Sequence, residues 1–246
     1  MSQMSNDNNW WTPVEAEVRD NVNFSYEESY ARKVVNKSMA WMCFALLLSA
    51  LSAWFVGHSE RTQAVLFTGY TPFILFGAEI LMVVMLGAAI NKISASTATL
   101  LFVLFSLVNG ASLGTIFLCY AEASIFMVFG LTALIFGGMA LYGYTTSSDL
   151  TKYSTLFMFG LIGIIVVSLI NFFLKSPMLY TAISAFGVLL FIGLTAYDVQ
   201  MIKKYAVMAV DEESTTKLAV LGALELYLDF INLFIYLLRL LGSRRD

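Results

Sequence analysis

Charge is scarce in this chain. Asp, Glu, Lys and Arg make up 13% of its 246 residues, about half the ~25% of an ordinary soluble domain, which excludes a water-soluble globule with a solvated surface. Histidine occurs once, as His58, and cysteine twice, as Cys43 and Cys119. One histidine and two separated cysteines do not supply a zinc hydrolase with ligands, and the cysteines show neither a disulfide framework nor metal-ligand spacing. Both fall inside apolar runs, where each is expected to be a buried free thiol acting as a small hydrophobe. His58, beside Glu60 and Arg61, reads as a solvated loop residue, with a pH switch as the alternative. With 14 basic against 17 acidic residues, no nucleic-acid partner is expected. The first residues lack a basic start and a small-residue cleavage site, which argues against a secretory signal peptide.

Apolar sequence is what the chain has in abundance: 59% of residues are hydrophobic and the mean hydropathy is +0.78. A membrane span needs about 20 mostly apolar residues. Seven runs qualify, roughly 36–56, 70–90, 98–118, 123–145, 156–174, 179–202 and 218–241. Backbone in lipid must satisfy its own polar groups, so only helices or closed barrels cross, and runs of this length without a period of two are helices. The fold class is an all-α integral membrane protein, a single seven-transmembrane-helix domain over 31–246. Residues 1–30 are polar and acidic and read as a flexible N-terminal tail, in which Trp10 and Trp11 touch the interface only as an alternative. With the N-terminus cytoplasmic, the inner segments hold Arg19, Arg32, Lys33, Lys37, Lys92, Lys152, Lys203, Lys204 and Lys217. The outer ones hold Arg61, Lys175, Arg239, Arg244 and Arg245. That bias sets the orientation, although the last three arginines also suit a re-entrant final segment.

Four carboxylates lie within or near the spans: Glu79, Asp198, Glu225 and Asp229. A carboxylate at bilayer depth costs about 2.5–3.5 kcal/mol even on a lenient scale, so it marks a functional position. Glu225 and Asp229 are spaced i, i+4 and share one helix face. At 1.5 Å per residue, Asp229 is about 18 Å from Lys217, Glu79 about 20 Å from Lys92, and Asp198 only about 8 Å from Lys203. For Asp198 and Asp229 to touch, the sixth helix must extend or the seventh must tilt. If they touch, two carboxylates in a low-dielectric site cannot both ionise cheaply and share a proton. Their oxygens also suit a hard divalent cation such as calcium. The structural alternative is an interhelical hydrogen bond worth about 1–2 kcal/mol at most.

The run Leu226–Gly242, which contains YLDFINLFIYLLRLLG, closely resembles the last helix of the Bax-inhibitor (transmembrane Bax inhibitor motif) family, and Gly193–Lys203, GLTAYDVQMIK, resembles its sixth-helix signature. The seven-span layout extends the likeness over about 30–246, and the last-helix match is similar to bacterial-type members. The resemblance implies six helices around a central seventh and a pH-sensitive calcium leak across a bacterial inner membrane. Asp198 and Asp229 then stand for the family's proton-sharing pair, as pH sensor, gate and calcium ligands, and Glu79 for its acidic residue on the second helix. Where relatives place an arginine that latches onto the aspartates, this sequence has Ile90 in Ala89-Ile90-Asn91-Lys92. Lys92 is the basic residue left to act as latch, without arginine's bidentate fork. Glu225 stands where some relatives have a neutral residue, and is a candidate to enrich cations at the inner mouth.

Other readings use the same residues. A proton-coupled transporter would employ the same carboxylates, but no internal repeat of the kind transporters show is visible. Tyr197-Asp198 with Asp229 is similar to the aspartate pair of intramembrane aspartyl proteases. Yet Tyr227-Leu228-Asp229 lacks that family's glycines, so no catalytic residue and no enzymatic activity is expected. A regulator that binds other membrane proteins is the remaining class. The expected partners are the bilayer, protons, calcium as a permeating or bound ion, and membrane proteins; no cofactor is implied. Gly137, Gly138, Gly143, Gly160 and Gly163 are read as permitting close helix approach, and Asn109 and Asn171 as interhelical hydrogen-bonding groups. Pro72 and Pro177 mark a helix start and a break between spans. Tyr142, Tyr144, Tyr153 and Tyr180 are read as interface aromatics. Asp211-Glu212-Glu213 reads as a solvated loop, with calcium gathering as the alternative.

Overall fold

A computed structural model describes the backbone of residues 13–206 and 211–245, with side chains from residue 28 onward. Its helices are α1 (Pro13–Gly57), α2 (Glu60–Leu66), α3 (Thr71–Ala89), α4 (Ala95–Leu113), α5 (Ile116–Cys119), α6 (Glu122–Thr145), α7 (Ser154–Leu174), α8 (Pro177–Ala206) and α9 (Glu212–Leu241). Seven helical segments are long and apolar enough to cross a membrane, the first being Glu28–Gly57 and the last Glu212–Leu241. No strand occurs among the described residues; Tyr120 and Arg244 form one isolated bridge. Together these make an all-α, seven-span membrane protein. Large apolar side chains such as Leu47, Phe73, Leu134 and Phe173 face outward, as contact with lipid rather than water requires.

Residues 13–30 belong to α1. They are helical and continuous with the first span, starting at Pro13, a residue suited to the first helical position. Trp10 and Trp11 lie outside the described residues. Both cysteines differ from the expected buried thiols: Cys43 and Cys119 are free but exposed, because each falls on an outward face of its helix. The acidic run at 211–213 caps α9. Asp211 and Ser214 form a reciprocal capping box, and Glu213 pairs with Lys217 at 3.0 Å, placing negative charge at the positive end of the helix dipole.

The core is organised around α9. It packs against α1, α3, α4, α6 and α8, whereas α7 rests mainly on α8, so the last helix is central but only partly ringed. Tyr227, Leu226, Leu233 and Val220 on α9 are fully buried. Two glycines allow backbones to touch. A Cβ on Gly143 would fall 2.7 Å from the Ala196 Cα, and one on Gly110 2.6 Å from the Ser49 Cα. Gly160 likewise abuts Leu190, but Gly137, Gly138 and Gly163 meet no neighbour within 4 Å, so those three do not serve helix approach within this chain.

α8 and α9 run antiparallel, with Ile202 against Gly222 and Tyr236 against Gly187. At that register α9 projects about one and a half turns beyond Ala206 of α8. α1 holds the overhang: Tyr30 hydrogen-bonds Thr215, and Lys37 Nζ donates to Thr216 Oγ1 at 2.8 Å. The far end of α9 meets the opposite end of the bundle, where the Ala121 N–H donates to the Ser243 carbonyl and the Arg245 N–H to the Cys119 carbonyl. The final segment therefore traverses the whole bundle and is not re-entrant.

Candidate functional site

Among the described residues, Asp229 is the only charged side chain in the fully buried class, 4% exposed. Its carboxyl lies within hydrogen-bonding reach of that of Asp198 on α8, and its buried Oδ2 has no hydrogen-bond partner among the described residues. At the observed register Lys217 lies about one turn further out than Lys203, which removes about half of the depth difference counted along the sequence and leaves Asp198 and Asp229 about one turn apart along the axis. Glu225, one turn before Asp229, lies close enough to Asp198 for the two carboxylates to repel. The other ionisable neighbour is Tyr197, whose ring stands 5.4 Å from that of Phe157. The three ion pairs among the described residues are His58–Glu122, Lys204–Asp149 and Lys217–Glu213, so no cation neutralises this cluster.

Two touching carboxylates without a cation hold together only when a proton lies between them. Their oxygens are hard ligands suited to calcium, but no group of three or more His, Cys, Asp or Glu side chains among the described residues is placed to hold a metal ion. Asp198 also adjoins a clasp that the sequence did not suggest. Gln200 Nε2 donates to the Ser148 carbonyl at 2.9 Å and its Oε1 accepts from the Leu150 N–H at 2.8 Å. Lys204 pairs with Asp149 at 2.8 Å, so the α6–α7 connection is tied to the end of α8 that carries Asp198.

Glu79 does not join the aspartates. Its Oε1 accepts from Ser112 at 2.5 Å and its Oε2 from Asn109 Nδ2 at 3.2 Å. Asn109 Oδ1 accepts from the Tyr227 hydroxyl at 2.9 Å, and Ser49 Oγ lies 2.7 Å from that hydroxyl. A polar chain thus joins α3, α4, α9 and α1. Tyr227 and Ser49 were missed at the sequence level; a phenol two residues before Asp229 inside a span was the available signal. Asn171 turns back on its own helix end, accepting from the Ser176 N–H at 3.0 Å. His58 is not simply solvated, since its Nε2 lies 3.1 Å from Glu122.

The family model described as "Inhibitor of apoptosis-promoting Bax1" matches residues 31–246. The chain belongs to the Bax-inhibitor family. Bacterial relatives agree. The inner membrane protein YbhL of Escherichia coli is 45% identical over 208 residues, covering 83% of this chain and 89% of its own. A protein of Borreliella burgdorferi is 45% identical over 220 residues, covering 87% and 93%. A membrane protein of Streptococcus pyogenes is 36% identical over 197 residues, covering 79% and 86%. In this Bax-inhibitor protein, Ile90 occupies the place expected of a latch and is buried in the apolar core. Lys92 stands exposed in the turn after α3, with no ion pair to either aspartate. The structure therefore does not bring Lys92 to the pair, because the turn carries it outward while Ile90 takes the inward position.

Proposed function

We propose that this Bax-inhibitor family protein is a pH-sensitive calcium leak of the bacterial inner membrane, with the N-terminus cytoplasmic and the Asp198–Asp229 contact as its gate. The observation that carries the reading is the buried carboxyl of Asp229, in reach of Asp198, with one oxygen unpartnered among the described residues. While one proton is shared, the contact closes α8 onto α9. Loss of that proton leaves two like charges in a low-dielectric site, which part the helices or draw in a divalent cation. Glu225 adds a third negative charge beside the pair and favours cations over anions there. Glu79 and its hydrogen-bonded chain lie on the other side of α9 and offer a second acidic station. The inner-membrane assignment draws on the relative in Escherichia coli.

The test is calcium flux into proteoliposomes between about pH 6 and pH 8, for wild type and for Asp198→Asn combined with Asp229→Asn. A flux that varies with pH and is flattened in the neutral variant is expected. No flux above protein-free liposomes at any pH, from folded protein, sinks the leak reading and leaves a regulator that acts by binding other membrane proteins.

A further inference from the structure

α1 and α6 both pack on α8 and α9, and the space between them is a cleft of about 840 Å³ that reaches the central helix. Met39 and Leu47 line one wall, Gly137 and Leu141 the other, and Val199 and Phe230 are at its base. A smaller cavity of about 210 Å³ continues it along α1, with Leu46, Ala50 and Phe129 common to both. The polar lining is gathered at one end, where Arg32 and Asn36 project from α1 beside Tyr144 of α6. Arg32 is exposed and forms no ion pair among the described residues. It precedes the apolar run that begins near residue 36 by about 6 Å, which is headgroup level.

We propose that this cleft binds one anionic phospholipid of the bilayer, with an acyl chain lying against Phe230 and the phosphate held by Arg32 and Asn36. The inference is independent of the aspartate pair. From Asn36 to Ala50 the cleft follows α1 for about 21 Å, more than the ~15 Å depth of one leaflet of hydrocarbon, so a single chain is accommodated along its length. Spread over that length, the volume corresponds to a cross-section of roughly 40 Å², enough for an acyl chain to lie along the groove. The guanidinium is a planar fork matched to phosphate oxygens. No carboxylate among the described residues pairs with its charge, so a lipid of net negative charge is favoured over a zwitterionic one.

Native mass spectrometry of the full chain in mild detergent, with phosphatidylglycerol or phosphatidylcholine of matched chains added, tests this. One phosphatidylglycerol is expected to remain bound, favoured roughly tenfold over phosphatidylcholine. Arg32→Gln removes the preference, whereas Lys33→Gln, on the same exposed turn, keeps it. A Cβ at Gly137 meets no protein atom within 4 Å, so Gly137→Leu fills the cleft without disturbing the fold and lowers retention of both lipids. Equal retention of the two lipids overturns the proposal. So does a preference that survives Arg32→Gln, retention untouched by Gly137→Leu, or a lipid-free dimer seated on the cleft.

Discussion

The Tyr227 hydroxyl donates to Asn109 at 2.9 Å, and Asn109 donates in turn to Glu79. Tyr227 and Asp229 are two residues apart, so on a helix they point about 200° from one another. One turn of the central helix thus faces two separate acidic systems: the Glu79 chain on one side and the Asp198 contact on the other.

Tyr227→Phe keeps the ring that packs edge-on against Phe102 and Phe105 but leaves Asn109 and Ser49 short of a partner. A loss of about 1–2 kcal/mol in unfolding free energy is expected, measured by denaturation in mixed micelles. Unchanged stability would mean that the chain is satisfied by other groups.

Asp229→Asn puts amide hydrogens, which stay in place at every pH, where the proposed gate has its shared proton. If one proton is shared between Asp198 and Asp229, as proposed, wild-type thermal stability should fall as pH rises and that proton leaves. The variant should show a flatter profile. Parallel melting curves across the neutral range would sink the proton-sharing contact.

Gly143→Ala drives a methyl group into the Ala196 backbone, and overpacking of this kind costs about 1–3 kcal/mol. Gly138→Ala meets nothing within 4 Å and should be neutral or stabilising by about 0.5–1 kcal/mol through helix propensity. Thermal melts of the two variants in one detergent decide; equal effects would contradict the close crossing of α6 and α8.

Asp149 lies outside the spans, where hydrogen bonds from Lys204 and Thr151 hold its carboxyl down at about 2. A carboxylate depressed in the folded state contributes stability that is present above its unfolded value, near 3.9, and is lost as pH falls through the folded one. The Tm gap between wild type and Asp149→Asn should therefore close as pH drops from about 4 to about 2. The gap should be small throughout because both partners are exposed. A gap that persists at the lowest pH would show that the Lys204 pair is not its source.

Sequence by itself determined the class and layout of this protein, because lipid permits few solutions. Long apolar runs must become helices, and a carboxylate within a span must find a partner. Hence the seven spans and the family likeness in Gly193–Lys203 and Leu226–Gly242 were legible, and Asp198 and Asp229 stood out as carboxylates in need of a partner. Depth was not legible, since a residue count from the nearest lysine assumes that those lysines lie level, and Lys217 sits about one turn further out than Lys203. Nor were side-chain directions around each helix. Ile90 turned inward and Lys92 outward, Gly143 met a neighbour while Gly138 met none, and Glu79 found Asn109 and Ser112 rather than the aspartates. Those outcomes depend on the rotation and crossing of packed helices, which an almost uniformly apolar sequence leaves unmarked and only tertiary contacts decide.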